Sequence, residues 1–355
     1  MSVLAVELND AGLYVARADA EDFPAGERGS PGVAWVRDGS LVTGLDAQRH
    51  ARLHSREIHD DFWDRLDTDP VDPRHPRGPN RAEVACAHLE AILAAAGRDD
   101  ATVVIAVPPF YGPRPLGLLA GIARDLGIPL PALVASPIAV DTRPIGRDRT
   151  LLVELTLHRC LISLVEGDAT VEVMETAECA DAGLLAFRRR WFTAIGGAFV
   201  RSTRFDPRHD AASEQRLDDR LAATVDAAVR DGRCELELAG PAGPQRTTID
   251  AELLVSAGHD LAFRVAREVQ TLVARREPAA IALNHEATRV PGLATSIKQH
   301  VPLPVTVLPP GAAATGLARM WPDAFEATAA GTTAHFTRRL AFTRDAAVAP
   351  GTTPP

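Results

Sequence analysis

The residues of this chain best suited to chemistry are scattered and form no familiar catalytic pattern. His50, His54 and His59, followed by Asp60 and Asp61, place two imidazoles one helical turn apart. Two histidines at that spacing can share a metal ion; on an arginine-rich helix they serve equally as plain surface residues. Arg188-Arg189-Arg190 precedes Trp191-Phe192, which suits contact with an acidic partner or a solvated helix face. Phe62 and Trp63 beside Arg65 suit a partner-contact cluster or packing inside a core. Lys298 is the only lysine, so a mechanism that requires one has a single residue to draw on. No GxxxxGK phosphate loop, no GxGxxG after a strand and no GxSxG nucleophile turn is present.

Composition narrows the functional classes. Apolar residues make up 46% of 355, enough for a large two-lobed unit or two ordinary domains with real cores. The net charge of −9 argues against nucleic acid as a partner, and against anionic membrane surfaces. No apolar run reaches the roughly 20 residues that span a bilayer, and the N-terminal segment MSVLAVELND reads as a strand with no basic region before it. The four cysteines, Cys86, Cys160, Cys179 and Cys234, form no CxxC pair, which fits buried thiols in a reducing compartment. A cytoplasmic location is the expectation.

The elements that must position any site follow from periodicity and punctuation. Residues 2–8 and 13–17 read as strands joined by the turn Asn9-Asp10-Ala11-Gly12. A Gly/Pro-rich stretch and a hairpin-like piece, 33–42, come next, then a helix over 44–54. The prolines at 70, 73, 76 and 79 predict a loop, because proline fixes φ and lacks a donor. A helix over 81–96, a buried strand over 102–107, a helix near 115–126 and a strand-like run at 133–135 complete the first half. Strands at 150–156, 160–165 and 169–176 begin a second half. Helices near 182–200, 211–230 and 250–275 follow, then strand 279–283, a helix near 291–300, strand 303–308 and a helix from Gly311 through Met320. Hairpin strands followed by strand–helix sets occur twice, which suggests two similar lobes around a cleft. The expected division is 1–149 with an insertion at about 20–90, 150–345 with a helical insertion at about 200–275, and a disordered tail, 346–355.

Ordered motifs carry a resemblance. LAVELNDAGLYVA (4–16) is similar to the first phosphate hairpin of the DnaK-type (70-kilodalton heat-shock) chaperones, and LLVELTLHRCLISLVEGDATVEVMETAE (151–178) to the second. VVIAVPPFYGPRPLGLLAGIARDLGIPLPALVASPIAV (103–140) resembles the connecting segment of that family. Gly183 with its helix, EQRLDDRLAATVDAAV (214–229), TIDAELL (248–254), ATRVPGL (287–293) and 311–318 resemble later elements in the right order. On these motifs, spanning about 1–345, the chain is identified as a degenerate member of the actin-like ATPase superfamily. The implied fold is α/β, two-lobed and ribonuclease H-like, with duplicated mixed sheets and flanking helices.

In that family ATP is hydrolysed between the lobes by positioning: glycine-rich hairpins approach the phosphates, and carboxylates organise Mg²⁺. The resemblance assigns the carboxylate role to Glu7 and Glu154, each about 1.5 Å longer than the family's aspartates; these are also the metal candidates. The first loop becomes Asn9, Asp10 and Ala11 with Gly12, setting a carboxylate where phosphate would sit. The second becomes Thr156, Leu157 and His158, and a later aspartate falls on Leu161. His285 and Glu286 replace the adenosine-loop glycines, while Gly311 and Gly316 lie on the last helix. The catalytic lysine position falls on Asp64 and the water-positioning glutamate on Ser136; Lys298 lies in the opposite lobe. No glycine occurs at 155–159 or 284–287, so small shifts in alignment do not restore the loops.

These substitutions imply a non-catalytic protein of interaction, regulation or assembly with an unidentified protein partner, rather than an ATPase holding ATP or ADP with Mg²⁺. The family's β-sandwich substrate domain and interdomain linker have no counterpart in the sequence. Two alternatives stand beside this expectation: an atypical ATPase using Glu7 and Glu154, and a scaffolding or filament-forming protein.

Overall fold

A computed structural model describes residues 3–17, 29–37, 39–98, 101–130, 132–140, 149–167, 170–241, 243–325 and 335–341. Much of the Gly/Pro-rich stretch after residue 17 and the tail 346–355 lie outside the described residues. The chain is a mixed α/β protein in which two mixed sheets position everything else.

The first half supplies β1 (Val3–Glu7), β2 (Tyr14–Arg17), β3 (Ala34–Arg37), β4 (Ser40–Thr43), α1 (Gly44–Gln48), β5 (Ile58–His59), α2 (Arg81–Ala95), β6 (Thr102–Val107), α3 (Pro113–Asp125), β7 (Ala132–Ala135) and α4 (Ser136–Ala139). β1 is buried along its whole length, as expected of an apolar strand paired in parallel with β6 and covered on both faces. α2 starts with a reciprocal capping box between Asn80 and Glu83. α3 starts on Pro113, whose missing N–H costs nothing in the first turn.

The second half supplies β8 (Arg149–Leu155), β9 (Arg159–Glu166), β10 (Thr170–Ala180), α5 (Leu184–Thr203), α6 (Ala211–Asp231), β11 (Arg233–Gly240), β12 (Gly243–Asp250), α7 (Ala251–Arg276), β13 (Ala280–Leu283), α8 (His285–Thr288), α9 (Leu293–His300), β14 (Val305–Val307), α10 (Ala312–Phe325), β15 (His335–Thr337) and β16 (Arg339–Ala341). The first sheet has the order β15-β7-β6-β1-β2 and the second β14-β13-β8-β9-β10-β16. In the second, β8, β9 and β10 form an antiparallel meander, and β13 and β14 continue from β8 in parallel. In the first, β1 pairs antiparallel with β2 and parallel with β6, which continues in parallel to β7.

Three apolar cores result. One lies between β1, β6 and the helices α2 and α3. A second fills the space between the two sheets around α4 and α10. The third joins β8, β9 and β13 to α5, α6, α7 and α9. Phe62 and Trp63 belong to the first core, almost fully buried. The Trp63 indole donates to His88 Nδ1 at 3.0 Å, and Tyr111 Oη donates to the Trp63 carbonyl. This pair is packing, not a surface cluster.

Several expectations are corrected. The helix expected over 44–54 stops at Gln48, and turns continue to 57. The stretch expected to be a helical insertion contains the hairpin β11–β12, whose alternating burial puts Leu236, Leu238, Thr247 and Ile249 inward. The TIDAELL segment is therefore strand up to Asp250 and helix from Ala251. β15 closes the first sheet and β16 the second, so residues 335–341 serve both sides of the expected boundary at 150. Among the described residues no helix is long and apolar enough to cross a membrane.

Candidate ligand cleft between the sheets

The turns after β1 and β8 meet at the middle of the molecule, and each is set by local chemistry. Asn9 accepts from Ala11 N through its side chain at 3.0 Å, while Gly12 N donates to the Asn9 carbonyl at 2.9 Å. Thr156 N donates to the Arg159 carbonyl at 2.9 Å and closes the second turn. At Gly183 a Cβ would lie 2.2 Å from the His158 carbonyl carbon, so only glycine lets α5 approach this turn. The first amides of α5 are consumed there: Leu184 N donates to Thr156 O and Leu185 N to Leu157 O, both at 2.9 Å.

Across the gap, hydrogen bonds and ion pairs join the two turns and their flanking segments. Asp10 Oδ1 accepts from Leu157 N at 2.6 Å, and Asn9 Nδ2 donates to Leu155 O at 3.1 Å. His158 Nε2 donates to the Asp60 carbonyl at 2.8 Å. The Arg159 guanidinium takes both oxygens of Asp64, at 2.8 and 2.7 Å, binds Glu178 at 2.6 Å and lies 4.4 Å over the Phe110 ring. Burial pushes Asp10 up to about 6, with the His158 charge and the Leu157 amide acting against it. Burial works to lower His158, yet Asp10 and the Asp60 carbonyl prevail and raise it.

Behind this seam lie three carboxylates of another kind. Glu7, at the end of β1, caps α10: its Oε2 accepts from Ala313 N at 2.9 Å and Ala314 N at 3.3 Å. Glu154, on β8, has Ser136 as its hydrogen-bonding neighbour, while its Oε2 is buried without a partner. Glu286, on α8, accepts from Tyr14 Oη at 3.0 Å and Asn284 Nδ2 at 3.0 Å. Asn284 is also the N-cap of α8 and bridges to Leu155 through both its oxygen and its nitrogen. The nearest cation to Glu286, Arg289, pairs with Asp226, and its charge works against the burial of Glu286. Burial raises all three, Glu7 to about 8 with help from Glu286 and Glu154, and the other two to about 7.

A cleft opens in front of Glu286. Tyr14 and Pro31 form one wall; Leu184, Trp191, Leu221 and Val225 form the other. Arg289 pairs with Asp226 at 3.0 Å and Arg188 with Asp218 at 3.4 Å along its rim. Asp218 also pairs with Arg52 at 3.1 Å, and Arg52 is set 4.5 Å over the Phe192 ring. A smaller, water-sized cavity lies behind, lined by Glu7, Glu154, His285, Glu286 and Gly311. Glu286 lines both.

The sequence candidates thus fall into two groups. Glu7, Glu154, His285, Glu286 and Gly311 gather at the smaller cavity, with Ser136 beside Glu154. Asn9, Asp10, Gly12, Thr156, His158 and Asp64 gather at the seam. Gly311 has φ +65°, and a Cβ there would stand 3.0 Å from Tyr14 Cβ, so its glycine serves packing. Gly316 is buried within α10. Lys298 sits on α9, and Leu161 is core. No group of three or more histidine, cysteine or acidic side chains suited to a metal ion occurs among the described residues. His50 and His54 instead stack on Trp35 at 4.2 and 4.8 Å, and His59 is a β5 residue lowered by burial. Arg190 pairs with Asp260 at 2.8 Å, and Arg188 turns to the cleft.

Tyr14, Asn284 and Arg159 were not legible as site residues. Asn284 alone carried a signal, standing as an N-cap type between an apolar strand and a short helix. No protein-family model matches this sequence, and no curated protein is significantly similar to it.

Proposed function

We propose that this chain is a non-catalytic relative of the actin-like and DnaK-type ATPases that acts through protein interaction, regulation or assembly. The observation that carries the reading is Asp10 Oδ1 on Leu157 N at 2.6 Å. A hairpin amide of the kind that would cradle a phosphate is occupied by the chain's own carboxylate. A nucleotide would have to displace that contact and bring its phosphates against Asp10, Asp64 and the three buried glutamates. Arg159, the nearest cation, is engaged by Asp64 and Glu178.

The meander-then-parallel strand order of the second sheet, partly repeated in the first, supports the two-lobed ribonuclease H-like reading of the fold. Direct contacts between the sheets, rather than a bound nucleotide, then hold the lobes together, which suits a protein working through its surface. The test is a melting experiment with ATP·Mg²⁺ up to millimolar concentration. The expected result is no change in Tm. A rise of about several degrees, lost in Glu7→Ala, means nucleotide binding and overturns the proposal.

A further inference from the structure

The three buried glutamates have amide, hydroxyl and carboxyl neighbours; the Arg289 charge is felt at Glu286, but burial outweighs it. Glu154 is only 8% exposed, and its Oε2 has no partner although it lines the smaller cavity. A buried carboxylate without a counter-ion is unfavourable. The larger cleft reaches this group at one residue, Glu286, and presents otherwise mostly apolar walls from Leu184, Trp191, Leu221 and Val225. A mostly apolar pocket with a few convergent polar groups is the usual form of a small-molecule site. The rim arginines are each held by an aspartate, Arg188 by Asp218 and Arg289 by Asp226, so they offer little to a ligand anion.

We propose that the cleft binds a small apolar amine, its ring or chain between Tyr14 and the Leu184–Trp191–Leu221–Val225 wall and its ammonium on Glu286. The inference rests on the reading that phosphates are excluded, because it takes the same cleft for a ligand of opposite charge. Glu286 Oε1 and Oε2 each accept one hydrogen bond already and keep a second lone pair for an ammonium donor. An ammonium at this position also compensates Glu7 and Glu154 behind it.

The experiment titrates the full chain with phenethylamine, phenylacetate and ATP·Mg²⁺ separately, following heat of binding and Trp191 fluorescence, with Trp191→Phe to assign the signal. Phenethylamine and phenylacetate share an aromatic ring and differ in charge. Phenethylamine is expected to bind at least about tenfold more tightly than phenylacetate. Glu286→Gln should remove that preference, by about tenfold. Ala222→Phe fills the cleft from α6 without touching Glu286 and should abolish binding even if Glu286→Gln unfolds. Equal binding of the two probes, or no binding of phenethylamine, overturns the inference. Binding of ATP·Mg²⁺ overturns instead the reading of the cleft as closed to phosphate.

Discussion

Two groups of carboxylates meet the cleft, and the fold balances them in opposite ways. At the seam, the mostly covered side chain of Asp64 is held by both arms of Arg159, and the buried Asp10 has Leu157 N and the His158 charge. Behind it, Glu7, Glu154 and Glu286 are buried among amides, hydroxyls and one another, and the Arg289 charge at Glu286 does not outweigh its burial. The seam acids therefore tie the sheets together through Leu157 N and the Arg159 guanidinium. The inner acids keep protons into the neutral range, because burial and mutual repulsion disfavour the charged form. Burial can thus make a latch or a proton-holding pocket, depending on whether a cation reaches across.

The strongest way to break this contrast is to empty the latch. Arg159→Ala leaves Asp64 without its partner at 8% side-chain exposure and uncovers Phe110. A loss of about 3 kcal/mol in urea unfolding is expected. If the latch is a true pair, the Asp64→Ala, Arg159→Ala double variant loses clearly less than the two single losses added together.

The next test uses pH. A carboxyl raised in the folded state binds more protons there than when unfolded, so it costs stability as pH rises from about 4.5 toward 7 or 8. Below about 4.5 that cost is absent. Glu154→Gln should therefore gain on wild type by about 3 kcal/mol between pH 4.5 and 8, read from their urea unfolding curves. Parallel curves would show that folding does not raise the Glu154 pKa.

A smaller effect separates charge from capping at Glu7. At pH 5 Glu7→Gln keeps an acceptor for Ala313 N and Ala314 N and should be nearly neutral. Glu7→Ala strips the cap from α10 and should cost about 1 kcal/mol. The smallest effect concerns the histidines outside both groups. His54→Ala removes one ring from the Trp35 stack and should cost about 0.5 kcal/mol. Zinc addition should leave the wild-type Tm unchanged; a rise would restore the metal pair.

Local pattern accounts for most of what was legible. The strand and helix expectations from 102 to 135 and from 150 to 203 match the elements observed, because burial on one or both faces imposes a period that a single segment displays. The Asn9–Gly12 turn is written in its own four residues. The β11–β12 hairpin was missed because its short alternating strands sit between long helical patterns, and turns 49–57 were missed because their residues also suit a helix. β15 and β16 were invisible for another reason: three-residue strands gain their order from the sheet edges they join, not from their own sequence.

For the site, the sequence alone placed Glu7 and Asp10 around one turn, Glu154 and Leu157 around another, and Glu286 in the loop after the strand 279–283. It also removed the glycines and the lysine that phosphate chemistry would use. Only the tertiary structure decided what each acid does. Asp10 meets Leu157 across 147 residues, Arg159 meets Asp64 across 95, and Glu7 caps a helix 306 residues away. A carboxylate's charge, partner and pKa depend on its burial and on the groups within a few ångströms. Those neighbours are fixed by the stacking of two sheets, a relation that no local pattern in the chain encodes.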